Sequence, residues 1–386
     1  MRHFFIVVLV VTLIATQAQS QESPSAQHAA ILKEYEAAAS AYLRRLQAAT
    51  SVAEQGKIFR DDNPQPAAAL RLLALAKQHP KDEIAYQSLT WILQNSEFGP
   101  AAVKPYSDAI DLLATHYLDH KDIEKLFERM AKSPFIATPK FLQTVFDKHP
   151  KAATRGRASF HLGLCLKNYA DTAERLRSES EMAKNAELVV GPELVKQFKD
   201  ADLAKLRGQA EKAFERVEKD HAFIAYKKTN LARAAAAELF EIRHLAFGKT
   251  VPDLEADDTD GKPLKLSDYR GKVVVLVFWG TWCPHCMAMV PTERALVKRY
   301  EGQPFAMVGV NSDIDLDKLK PALVKHGITW RSFYDGPTAD GPIASKWNVQ
   351  GWPCIYVLDA KGVIRFRELR GEQLERAVAE LMKETK

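Results

Sequence analysis

The chain of 386 residues is longer than one hydrophobic core usually serves, so at least two domains are expected. Hydrophobic residues make up 46% and charged residues 27%, which suits packed cores and excludes a mainly disordered or membrane-spanning protein. The formal net charge of +5 is mild, and residues 251–386 hold 19 basic and 19 acidic side chains, so no clustered basic face marks nucleic acid as a partner.

Residues 1–20 begin with Arg2 and His3, continue as an apolar run over 4–15, and end in small and polar residues. This is the pattern of a secretory signal peptide cleaved after Ala18 or Ser20, and it predicts an exported, periplasmic or otherwise extracytoplasmic protein. The run is shorter than the roughly 20 residues of a membrane span. No cysteine follows it to receive a lipid.

Residues 21–247 are expected to form an all-α domain, because Ala, Leu, Lys and Glu recur at helical spacing with few alternating β-branched residues. Proline opens helices at Pro64, Pro100 and Pro192, where its missing N–H is harmless. His79-Pro80-Lys81 recurs as His149-Pro150-Lys151, and residues 160–164 resemble the packing helix of a tetratricopeptide-type repeat. A helical bundle and a stacked-repeat array both fit that pattern. The charge runs of residues 193–244 read as solvated helix faces.

Gly248 and Pro252 end the helical pattern, and strands begin to alternate with helices. Asp260-Gly261 marks a hairpin turn, and the continuous apolar run 273–278 suits a central strand covered on both faces. A helix over 284–300, a strand over 305–310, a helix over 315–326, a short strand over 330–334 and a short helix over 342–347 follow. Strands over 354–358 and 363–366, joined by the turn 359–362, precede a last helix over 371–383. The boundary between the two domains is expected at 247/248.

Four cysteines occur, Cys165, Cys283, Cys286 and Cys354, too few for a disulfide scaffold in an exported chain of this size. Cys283 and Cys286 are separated by two residues at the junction of the apolar strand and the next helix. A tetrahedral zinc site would need two more ligands at similar spacing, which the sequence does not offer nearby. Haem attachment would need histidine at position 287, which is Met287.

Trp282-Cys283-Pro284-His285-Cys286 after the buried strand, with Trp352-Pro353 before the penultimate strand, resembles the thioredoxin superfamily. Residues 248–286, with Pro252, Asp260-Gly261-Lys262, residues 266–272 and Phe278-Trp279, are similar to its exported TlpA and ResA branch, also grouped with AhpC/TSA-like redoxins. The resemblance implies an α/β thioredoxin fold over 248–386 and a thiol–disulfide oxidoreductase whose redox-active Cys283–Cys286 disulfide needs no other cofactor or metal. A cysteine at a helix N-terminus is stabilised as thiolate by unpaired N–H groups and the helix dipole. Cys283 is therefore the expected nucleophile, and Cys286, one turn later and more buried, the resolving thiol. The resemblance makes Pro353 the family's cis-proline, with Trp282, Pro284 and Trp352 lining a substrate groove. Pro284-His285 is the dipeptide of DsbA-type oxidases, which assigns His285 to tuning the thiolate.

Two positions depart from the family. Val277 stands where thioredoxins carry a buried aspartate, and Met289 where some ResA-like proteins place a glutamate, so no buried carboxylate is evident for the proton of Cys286. Cys354 reads as a small buried residue or as a third redox thiol. The expected partners are exported protein thiols and disulfides, a membrane or soluble electron donor, and a protein docked on the helical domain. A thiol peroxidase and a partner-binding helical module with an accessory redox domain are the alternative functions; for the peroxidase, Gly280 and Leu276 occupy the positions of its threonine and proline.

Overall fold

A computed structural model describes residues 22–385 except Lys228 and residues 337–340. The signal-peptide expectation for residues 1–20 lies outside the described residues. No helix among the described residues is long and apolar enough to cross a membrane.

The first part of the chain is helical. Its helices are α1 (Pro24–Ala48), α2 (Val52–Asp62), α3 (Gln65–Gln78), α4 (Glu83–Asn95), α5 (Pro100–His116), α6 (Phe127–Ala131), α7 (Ala137–Lys148) and α8 (Ala152–Ser178). There follow α9 (Ser180–Val190), α10 (Pro192–Lys199), α11 (Leu203–Asp220), the small hairpin β1 (Ala225–Tyr226) and β2 (Thr229–Asn230), and α12 (Leu231–His244). Proline stands in the first turn of α5, where its missing N–H leaves no helical bond unmade. His79 and His149 each follow the last residue of a helix, which places the repeated His-Pro-Lys at two helix ends.

The compact units do not divide at 247/248. One comprises the chain to His120 with Glu179–Lys196; the other comprises Lys121–Ser178 with Gln197–Lys386. In the first, α3 packs against α1, α4 and α5, with Ala69, Leu72, Ala85, Leu89, Ile92 and Leu113 almost fully buried. In the second, α8 packs against α7 and α11. Gly163 permits this approach, since a Cβ there would come 2.6 Å from the Phe214 ring.

Five strands form the sheet of the second unit, in the order β7-β6-β5-β8-β9. They are β5 (Val273–Trp279), β6 (Phe305–Asn311), β7 (Ser332–Tyr334), β8 (Cys354–Leu358) and β9 (Ile364–Arg367), preceded by the hairpin β3 (Glu255–Asp257) and β4 (Pro263–Lys265). β5 runs parallel to β6 and antiparallel to β8. Every residue of β5 is buried, and its side chains alternate between two apolar layers as a period of two requires. Val273, Val275, Val277 and Trp279 join α13 (Pro284–Arg299) and α16 (Gly371–Glu384), with Leu319 of α14 (Leu316–His326). Val274, Leu276 and Phe278 join Val308, Phe333, Tyr356, Leu245 and Trp347, the residue that ends α15 (Pro342–Lys346).

Residues 248–251 are fastened to the edge of this sheet, where Gly248 N–H donates to the Ile364 carbonyl (2.8 Å) and Val251 N–H to the Gly362 carbonyl (2.9 Å). The charge run before this junction is not a solvated face throughout. Glu238 and Glu241 are 9% and 7% exposed. Lys167 of α8 donates to both, at 2.6 Å to Glu238, and Arg367 of β9 donates to Glu241 at 2.6 Å. Asn348 adds bonds of 3.0 Å to Glu238 and 2.9 Å to Glu241. Burial alone would lower the Lys167 ammonium, but the Glu241 and Glu238 carboxylates hold it above its ordinary range. Fragments of the second unit thus share buried charges as well as apolar contacts, which is why helices and sheet group together.

Candidate active site

Three chain segments meet at the C-terminal end of β5: the turn into α13, the end of β6, and the loop before β8. Cys283 and Cys286 form a disulfide with Cα atoms 5.3 Å apart. Cys283 is the N-cap of α13, with Pro284 in its first turn, and its sulfur accepts the Cys286 N–H at 3.1 Å. A sulfur so placed sits among the unpaired N–H groups at the positive end of the helix, where negative charge is favoured. In the disulfide form the two cysteines differ little in exposure, 4% for Cys283 and 2% for Cys286, so the expected contrast between an open and a buried thiol is absent from this state. Pro284 and His285 are exposed beside them.

Trp352-Pro353 is a cis peptide. The Trp282 and Trp352 rings meet at 60° with centroids 5.5 Å apart. Gly280 makes this possible, because a Cβ there would overlap the Trp282 indole, which folds back over the turn.

Residues that the sequence reading missed hold these parts in place. Trp282 Nε1 donates to the Ser312 carbonyl (3.1 Å), and Trp352 Nε1 to Ser312 Oγ (3.3 Å). The Thr281 N–H and hydroxyl both donate to Asp313, the N–H at 2.9 Å, and Asn311 Nδ2 steadies the same carboxylate at 2.7 Å. All three of Asn311, Ser312 and Asp313 are buried. Their only sequence signal is position: a polar triplet at the C-terminal end of a parallel strand, where open α/β sheets place their sites. On the far side of the loop Arg370 donates to the Pro353 carbonyl (2.8 Å) and to Glu368 (3.0 Å), and Glu368 accepts the Ile355 N–H (3.2 Å). Glu368 takes a left-handed backbone, with φ of 59°.

A buried carboxyl does exist near the dithiol. Glu293 is 4% exposed and shares the inner face of α13 with Cys286, Met289 and Val290. Burial pushes its carboxyl up to about 7. It lies two turns, about 10 Å, along the helix from Cys286, too far for direct proton transfer. Its spacing of seven from Cys286 was the signal in the sequence.

Cys354 is a free, buried thiol whose side chain joins the layer of Phe278 and Tyr356, across the sheet from the layer that holds Cys283 and Cys286. Burial, and then the nearby Glu368 carboxylate, push this thiol well above its ordinary value. Burial likewise pushes the Cys165 thiol, inside α8, up to about 12. A raised thiol is a poor nucleophile near neutral pH.

Residues 246–382 match the Redoxin family. The thiol-disulfide oxidoreductase ResA of Bacillus thuringiensis subsp. konkukian is 27% identical over 139 residues, which cover 36% of this chain and 78% of that protein. ResA of Geobacillus kaustophilus is 31% identical over 121 residues, covering 31% of this chain and 68% of its own. The thiol:disulfide interchange protein DsbE of Vibrio cholerae serotype O1 is 29% identical over 143 residues, covering 36% and 73%.

Proposed function

Because this chain belongs to the redoxin family of the thioredoxin superfamily, we propose that it is a thiol–disulfide oxidoreductase that exchanges disulfides with exported protein substrates through Cys283 and Cys286. The observation that carries the reading is the disulfide at the strand-to-helix junction, with the Cys286 N–H directed at the Cys283 sulfur.

In the reduced enzyme the Cys283 thiolate attacks one sulfur of a substrate disulfide. A Cys283–substrate disulfide forms, and the other substrate sulfur leaves as a thiolate that takes up a proton. Cys286, one turn away, then loses its proton and attacks the Cys283 sulfur. The enzyme disulfide forms, the second substrate sulfur is released, and two electrons have passed to the substrate. An external dithiol donor restores the reduced enzyme. Around this chemistry Trp282, Pro284 and Trp352 form the groove wall, Pro353 the loop beside the dithiol, and His285 tunes the Cys283 thiolate. The direction favoured is disulfide reduction or isomerisation.

The test is Cys286→Ser in the full chain. The variant should accumulate mixed disulfides through Cys283 with cysteine-containing polypeptides, visible as thiol-sensitive adducts on non-reducing gels, while Cys283→Ser accumulates none. Adducts that persist in Cys283→Ser would refute the role assignment.

A further inference from the structure

A groove of about 660 Å³ lies within the second unit, where α6, α8 and α12 approach α15 and the loop that leads to Pro353. Its apolar floor includes Leu164, Ala234, Ala237, Val349 and Trp352. The alanines stand at i and i+3 of α12, one face of one helix, and their small side chains leave the space open. The size lies within the range of about 300–1,000 Å³ typical of ligand pockets, and so has room for a short extended segment rather than a folded domain.

Trp352 connects this groove to the dithiol. It lines the groove, its indole pairs with that of Trp282, and its side chain packs against the apolar layer that holds the disulfide. Trp352 is the residue through which a polypeptide bound at Cys283 would reach the α12 side of the groove.

The charge around the groove is one-sided. Glu128 and Glu238 line the groove but are already engaged, Glu128 by Lys227 at 3.2 Å and Glu238 by Lys167 at 2.6 Å. Lys132 and Arg233 also line it, are exposed, and meet no carboxylate among the described residues. The uncompensated charge is positive, and complementary charge in a partner speeds encounter and fixes register.

We infer that this groove holds the stretch of substrate polypeptide next to the reacting cysteine and selects stretches carrying acidic side chains. The inference rests on the disulfide-exchange reading and adds its substrate class: the helices before the redox fold act as the specificity wall of the same site.

The experiment uses the full chain, dithiothreitol as donor, and two disulfide-bonded peptides of the same core, one flanked by glutamates and the other by lysines. The wild type should favour the glutamate peptide by about tenfold in kcat/KM, through KM, and the preference should shrink as salt rises. Lys132→Glu with Arg233→Glu should invert the preference; circular dichroism and melting temperature check that this surface variant folds. A second arm measures fluorescence anisotropy with peptides whose cysteines are replaced by serine, and the same ratio is expected there. Equal use and equal binding of the two peptides, a lysine preference, or a glutamate preference unmoved by the double variant would overturn the inference. Failure of the wild type to reduce either peptide would fall on the exchange reading instead, and the anisotropy arm would still decide the groove.

Discussion

Glu293 and His285 sit on the same helix as the dithiol and act at opposite levels of burial. Glu293 holds its proton more tightly in the folded than in the unfolded chain, since burial raises its carboxyl from 4.5 to about 7. The stability it supports is therefore complete below about 4.5 and is lost as pH rises through about 7. The wild type is expected to lose about 2–3 kcal/mol between about pH 5 and 8 that Glu293→Gln retains, read by urea denaturation at both pH values. Parallel losses in the two proteins would mean that the carboxyl is solvated. His285, by contrast, is exposed in the first turn of α13, where its imidazole can interact with a thiolate at Cys283 without a burial cost. The dithiol is expected to have a potential between about −270 mV, as in thioredoxin, and about −120 mV, as in DsbA, and His285→Pro should lower it. A glutathione redox titration of the two proteins decides this; a wild-type value at or below that of thioredoxin, or an unmoved variant, would remove His285 from the tuning role.

α12 shows how one element can read one way in sequence and behave another way in the fold. Its period places Leu231, Ala235, Leu239 and Ile242 inward, as helical spacing predicts. Glu238 and Glu241 fall on the same side, and only the meeting of α8, α12 and β9 turns them from a solvated pair into the centre of a buried network with Lys167, Arg367 and Asn348. Burial would raise the Glu241 carboxyl, yet Lys167 and Arg367 hold it well below its ordinary range. Glu241→Gln should lower stability by about 3 kcal/mol in urea denaturation, because it leaves two buried cations short of a charge. A loss below about 0.5 kcal/mol would place the group among exposed pairs instead. β5 is the contrary case. Seven consecutive apolar residues, VVVLVFW, satisfy both faces of a central strand, so local pattern and tertiary position agree.

Across the molecule, the two apolar layers of the sheet come almost wholly from residues 251–382, but Leu245 is fully buried in one of them and Phe240 packs on it. A fragment starting at Gly248 is accordingly expected to fold yet to melt about 5–10 °C below one starting at Leu231, given the burial lost with Leu245 and the missing partner of Arg367. Thermal circular dichroism checks this, and coincident melting curves would show that α12 adds nothing to the redox fold. The sequence by itself determined which fold carries the cysteine pair and where in the chain that fold lies. A cysteine pair after a continuous apolar strand, and a Trp-Pro pair before the penultimate strand, are each patterns confined to a few consecutive residues. Tertiary structure decided what surrounds them: Ser312 between the two tryptophans, Asp313 under Thr281, Arg370 on the Pro353 carbonyl, Cys354 across the sheet from the disulfide, and α8 and α12 in one unit with the strands. Each of these depends on which faces meet once distant segments pair, and a buried glutamate and a solvated one look the same until a lysine and an arginine from far along the chain are brought against it.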